Sequence, residues 1–237
     1  NDLKDFKTKY NKHKYDLAAV IVEPIQATSG FNFADKNYLD YISTTIKKSK
    51  SLLIFDEVWT GFGKTGYNFA FEFYDTIPDI IILGKSLGAG MPLGLIGFKN
   101  HIIHSFPGAQ SSTFQGNNIS VNSSLFFLKY LHKIKYLNKV KEIEKFFLKN
   151  KTQIESFEFV NTFKGIGFMW GIEINNSYFS ISNYTNTIRS KLLQRGLITW
   201  ECGKDANVIG LIPPLCISKS SLTKSIKIIL DLFNEIK

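Results

Sequence analysis

At 237 residues the chain is roughly one and a half typical domains long, which leaves one large domain or two smaller ones open. With 44% hydrophobic, 14% aromatic and 21% charged residues it can bury a core, so disorder and collagen-like structure are excluded, and no apolar run approaches the ~18–20 residues of a membrane-spanning helix. Lys and Arg number 29 against 20 Asp and Glu, but the lysines are scattered and arginine occurs only at Arg189 and Arg195, so the +9 charge describes a solvated surface and not a nucleic-acid stripe.

The first residues, Asn1 to Lys4, carry no initiator Met and no apolar signal region, which points to a processed chain or a fragment. Residues 1–16 are polar and Lys-rich, a surface helix or loop. Leu17–Val22 is a short continuous apolar run, expected as a buried parallel strand. Tyr38, Leu39, Ile42 and Ile46 fall at helical spacing within Asp35–Lys48. Ser51–Phe55 is a second buried strand and Asp79–Leu83 a third, with the Gly-rich stretch Gly61–Gly66 between them. Strand, helix, strand in this order indicates an α/β architecture with a parallel sheet.

Beyond it, Asn118–Leu131 and Leu137–Ile154 read as helices, and Asn183–Gln194 as another. Phe168–Ile174, Gly196–Trp200 and Val208–Ile212 are strand candidates, the last stopped by Pro213-Pro214. A final helix carries Leu222, Ile226, Ile229, Phe233 and Ile236 on one apolar face. The expected division is 1–130 and 131–237, inside a connecting helix. Cys202 and Cys216 form neither a CxxC motif nor a dense disulfide pattern, which fits a reducing cytosol. His101 and His104 lack further ligands nearby, so no metal site is expected.

In open parallel sheets, ligands bind beyond the carboxyl ends of the strands. Here the first strand runs into Glu23-Pro24, the second into Asp56-Glu57 and the third into Gly84-Lys85. Neighbouring strands would converge two acids and a lysine on one sheet edge. Lys85 is flanked by small residues, Gly84 to Gly90, where backbone and ligand can approach closely. A lysine partly withdrawn from water has a lowered pKa and can form a Schiff base with an aldehyde. Gly63-Lys64-Thr65 and Gly84-Lys85-Ser86 imitate a nucleotide P-loop, but Val58 and Asp79 stand where its first glycine belongs. Gly61–Gly66 matches GxGxxG, yet Asp56 to Thr60 separate it from its strand, which ranks dinucleotide binding below the lysine reading.

These residues resemble the fold-type I, pyridoxal-phosphate-dependent class III (omega) aminotransferases. The likeness runs through VEPIQ (22–26), LLIFDEVWTGFGKTG (52–66), PDIIILGKSLGAGMPLG (78–94), STFQGN (112–117), KGIGFMWGIE (164–173) and NVIGLIPPL (207–215). It implies part of a mainly parallel-sheet large domain followed by a small α+β domain. It implies pyridoxal 5'-phosphate held by Lys85 as an internal aldimine, with Lys85 then the proton-transferring base. Asp56 would pair with the pyridinium nitrogen, Glu23 would support that end of the ring, and Val58 would pack on one ring face. Thr113 would reach the cofactor phosphate of the neighbouring subunit, making the enzyme a homodimer, and the cysteine usage places it in the cytoplasm. The reaction implied moves an amino group from an amine or (omega-)amino acid to a 2-oxo acid. Relatives act on 4-aminobutyrate, acetylornithine, ornithine or diaminobutyrate.

Three positions depart from the family pattern. Trp59 stands where relatives usually carry a Gln that hydrogen-bonds the cofactor's phenolic oxygen; an indole can donate one hydrogen bond and accept none. Thr28 and Gly210 stand where many relatives carry the Glu and Arg that form a switch for the substrate α-carboxylate. Their joint loss suggests a substrate without that carboxylate. The resemblance also implies a chain shorter than whole family members, with the first part of the large domain missing from it. An aminomutase-type reaction on the same scaffold, or a truncated, non-catalytic member, are the alternatives.

Overall fold

The computed structural model describes residues 1–102, 112–179 and 184–237. The chain divides into two compact units, one formed by residues 1–25, 33–62 and 67–135 and the other by 26–32, 63–66 and 136–237.

The first unit opens with helix α1 (Leu3–His13), whose first turn is capped by the Asp2 carboxylate accepting from the Asp5 amide. Strand β1 (Ala19–Val22) leads to α2 (Lys36–Ser49), β2 (Leu52–Asp56), the one-turn α3 (Ala70–Tyr74), β3 (Ile80–Leu83), β4 (Leu95–Phe98) and α4 (Asn118–Lys133). The sheet order is β1-β2-β3-β4: β1 pairs with β2 and β2 with β3 in parallel, while β4 closes an antiparallel hairpin on β3. Helix α2 begins where Asp35 accepts from the Tyr38 amide, and its Leu39, Ile42, Ser43 and Ile46 are buried at i, i+3, i+4 and i+7. Asp79 locks the start of β3, accepting from the Leu53 amide at 2.9 Å and Lys99 Nζ at 2.8 Å.

The second unit holds α5 (Tyr136–Glu155), β5 (Val160–Ile166), β6 (Met169–Ile174), α6 (Tyr184–Gln194), β7 (Trp200–Cys202), β8 (Val208–Leu211) and α7 (Lys219–Ile236). Its sheet is antiparallel throughout, in the order β5-β6-β8-β7. Phe147, Phe163 and Trp170 pack as one aromatic group, and the Trp170 indole N–H donates to the Gly167 carbonyl at 3.0 Å. Phe157, Phe159 and Phe233 form a second group that joins α7 to the sheet. Gly167 turns the β5–β6 hairpin at φ +55, and a Cβ there would stand 2.2 Å from the Lys64 carbonyl oxygen. No residue but glycine fits that turn.

Several elements differ from expectation. β1 is parallel but lies at an edge of the described sheet, with Ile21 59% exposed, so the apolar run is not buried on both faces. Residues 196–199 are not strand: they leave α6, with the Leu197 amide returning to the Leu192 carbonyl, and β7 starts only at Trp200. β4 and β5 went unexpected. β4 is only four residues with Gly97 inside it, and a register shift between Val160 and Thr162 breaks the alternation of β5. Among the described residues no helix is long and apolar enough to cross a membrane, and no group of His, Cys, Asp and Glu could hold a metal ion. His104 lies outside the described residues.

Candidate active site

The period of two in β2 separates two adjacent acids. Leu53, Phe55 and Glu57 are buried, whereas Leu52, Ile54 and Asp56 share the other face. Asp56, the last residue of β2, is half-buried and its Oδ1 accepts from the Val58 amide at 3.0 Å. Glu57 is fully buried. Its carboxylate accepts from Thr60 Oγ1 at 2.9 Å and from the Ala70 and Phe71 amides at 2.6 and 2.9 Å, so it caps α3 and pins residues 57–60 from inside. Burial nevertheless pushes the Glu57 carboxyl above its ordinary pKa. The sequence paired Asp56 with Glu57 but assigned a role only to Asp56; strand alternation was the signal that separates them.

Lys85 follows β3 and opens a short turn of 3-10 helix, Lys85–Gly88, against which α4 packs. Its φ of +45 is a left-handed conformation that costs a side-chain-bearing residue about 1–2 kcal/mol. The side chain is exposed yet partly desolvated, and burial lowers its pKa while the charges of Asp56 and Glu23 pull it back up. The structure thus places both predicted carboxylates within electrostatic reach of the predicted lysine. Lys85 Nζ also stands 3.9 Å from the centroid of the Trp59 ring. Val58 borders the same turn: a Cβ on Gly84 would meet its two methyls at 3.5 and 3.6 Å. The Glu23-Pro24 turn is tied down by the Tyr74 hydroxyl and the Ala34 amide, both donating to the Pro24 carbonyl. Burial raises the Tyr74 phenol to about 12.

Thr113 is exposed on the turn before α4, and its side chain makes no hydrogen bond among the described residues. Thr28 is exposed and its carbonyl accepts from the Gly203 amide. Gly210 is buried in β8 opposite Trp200. A Cβ there would meet Cys202 Sγ at 2.9 Å and Trp200 Cβ and O at 3.2 Å. Cys202 and Trp200 thus crowd the place where a side-chain stem at 210 would start. Burial raises the Cys202 thiol to about 12.

An exposed, partly desolvated amine flanked by two carboxylates suits an aldehyde-bearing ring with a basic nitrogen, and that donor set fits pyridoxal phosphate. The α/β fold, with its mainly parallel sheet and separate antiparallel sheet, is compatible with that class. Residues 2–233 match the family described as Aminotransferase class-III, whose members depend on pyridoxal phosphate, and the chain belongs to that family. It is 33% identical over 222 residues to an acetylornithine aminotransferase of Methanocaldococcus jannaschii, covering 93% of this chain and 54% of that protein. It is 36% identical over 231 residues to one of Clostridium acetobutylicum, covering 96% and 57%. Among solved structures, an ornithine aminotransferase from Plasmodium yoelii superposes with a TM-score of 0.88 at 30% identity, over 100% of this chain and 61% of that one. The chain therefore spans little more than half the length of the curated relatives it matches.

Proposed function

We propose that the whole protein is a transaminase that moves an amino group from an amine or amino acid, including omega-amino acids, to a 2-oxo acid. The observation that carries this reading is Lys85 at the carboxyl end of β3, partly desolvated and within the fields of Asp56 and Glu23. Pyridoxal phosphate, when bound, supplies an electron sink for the negative charge that develops at the substrate carbon bearing nitrogen. Lys85 Nζ is the group that holds the aldehyde and later carries a proton between carbon atoms. Asp56 keeps a proton on the ring nitrogen, Glu23 supports that end of the ring and Val58 packs on one of its faces. Thr113 serves the phosphate in the neighbouring subunit of a homodimer. Residues 1–130 form the later part of the cofactor-binding domain and 131–237 the small domain, in an enzyme of the cytoplasm.

The acetylornithine and ornithine aminotransferases among its relatives indicate small amino acids as the substrate class. Gly210, enclosed by Cys202 and Trp200, favours a donor without an α-carboxylate over one that needs a cation at that position. The full-length protein should show a visible absorbance band with pyridoxal phosphate, lost in Lys85→Ala, and should release an oxo acid from its donor. Absence of the band would overturn the transaminase reading. Turnover of glutamate and 2-oxoglutarate at ordinary affinity, with no replacement Arg in the site, would overturn the substrate reading alone.

A further inference from the structure

The Trp59 indole lies against Lys85 Nζ at 3.9 Å, measured to the ring centroid. Among the described residues, the charges that bear on this nitrogen are the carboxylates of Asp56 at the end of β2 and Glu23 beyond β1. An aromatic face carries the negative part of the ring quadrupole, so it attracts an ammonium far more than a neutral amine. The same ring also shields Nζ from water, which works in the opposite sense. These two effects can be separated by sign, because an aliphatic side chain has no quadrupole, and any shielding it fails to supply raises the midpoint, whereas loss of the ring face lowers it.

We propose that Trp59 is the positioning residue of Lys85: its ring face binds the cationic form of Nζ, fixes where that nitrogen stands and holds a proton on it. The functional consequence rests on the reading of Lys85 as the cofactor-binding amine. Only an unprotonated amine attacks a carbonyl carbon, so Trp59 sets the pH at which Lys85 becomes available. A tryptophan at this position thus acts on the lysine, where the glutamine expected from the family resemblance would act on the ring oxygen.

The test uses the full-length protein without cofactor. Its lysines are reductively methylated with a carbon-13 label, and the Lys85 signal is assigned by its loss in Lys85→Arg. In Trp59→Leu the Lys85 titration midpoint should fall by about half a pH unit, roughly a threefold weaker hold on the proton. Trp59→Phe, with a weaker ring face, should fall between. Reciprocally, the Trp59 indole N–H resonance should titrate at the Lys85 midpoint in the wild type and stop doing so in Lys85→Met. An unchanged midpoint in the Leu variant, or a Phe variant equal to Leu, would overturn the proposal. Should the Leu variant not fold, a Trp59 titration that persists in Lys85→Met would do the same. Cofactor loading is read separately by absorbance. A wild type that takes up no pyridoxal phosphate refutes the transaminase reading and leaves the Trp59–Lys85 contact to the titrations.

Discussion

Gly210→Ala adds one carbon to a place that has none to spare. The new Cβ would stand 2.9 Å from Cys202 Sγ, at least about 0.6 Å inside the optimum separation of about 3.5 Å or more between non-bonded heavy atoms. The Trp200 Cβ and carbonyl oxygen also stand at 3.2 Å, and that oxygen is backbone of the paired strand β7, which gives little room to shift. Overpacking of this kind costs about 1–3 kcal/mol. The replacement of glycine returns about 0.4–1 kcal/mol by restricting the unfolded chain, so the net effect lies between about zero and a loss of about 2.6 kcal/mol. Cys202 is 3% exposed, and Cys202→Ala should destabilise modestly through its own lost packing. The double variant, however, removes the sulfur that obstructs the new carbon. Urea denaturation of the wild type, both single variants and the pair forms a cycle. It should show a favourable coupling of about 0.5–2 kcal/mol. Additivity within about 0.3–0.5 kcal/mol would refute the claim that Cys202 crowds the start of a side chain at 210. If the cycle couples as expected, Gly210→Arg alone should not restore α-carboxylate binding, because the arginine stem starts from the same Cβ.

Two further predictions follow from the site's supports. Glu57→Gln sets an amide N–H toward a backbone N–H that now donates to the carboxylate, at a cost of about 1–3 kcal/mol for the unsatisfied donor. Burial raises the folded pKa of Glu57 above the ordinary carboxylate value, so the folded state binds the proton more tightly. The stability from that proton is present below the unfolded pKa and is lost as pH rises through the folded value. The gap between wild type and Glu57→Gln should therefore narrow with rising pH from about 4.5 upward; a gap that widens toward alkaline pH contradicts the assignment. Lys85→Gly should be more stable than Lys85→Ala by about 0.5–1 kcal/mol, since φ +45 strains any residue with a Cβ, and equal denaturation midpoints would count against that strain.

The parallel strands were legible as short continuous apolar runs, and the amphipathic helices because their period survives in the sequence. Leu222, Ile226, Ile229 and Phe233 mark α7, and all four are buried. Glu23, Asp56 and Lys85 could be placed because each ends an apolar run at the carboxyl edge of one sheet. What escaped depended on tertiary partners. β5 could not be read because its alternation slips at Val160 to Thr162. Residues 196–199 looked like strand because Ile198 and Thr199 are β-branched and Trp200 is aromatic, while the backbone bond from Leu197 to Leu192 commits the segment to the helix exit. The departure at Gly210 was visible as a letter. That its place is filled by Cys202 and Trp200 depends on the register of β7 against β8, which no local pattern specifies.

Asp56 and Glu57 show how one strand end serves chemistry and scaffold together. Their side chains face opposite sides at the end of β2, so a step of one residue puts one carboxylate in the field of Lys85 and the other in the core. The buried one is not idle ballast. Through Thr60 and the start of α3 it fixes both ends of the segment that carries Val58 and Trp59. These two side chains in turn border Gly84 and cover Lys85 Nζ. The desolvation penalty carried by Glu57 and the backbone strain at Lys85 therefore belong to one device. Both are unfavourable locally, and both are held by packing that leaves a single amine exposed in a defined place.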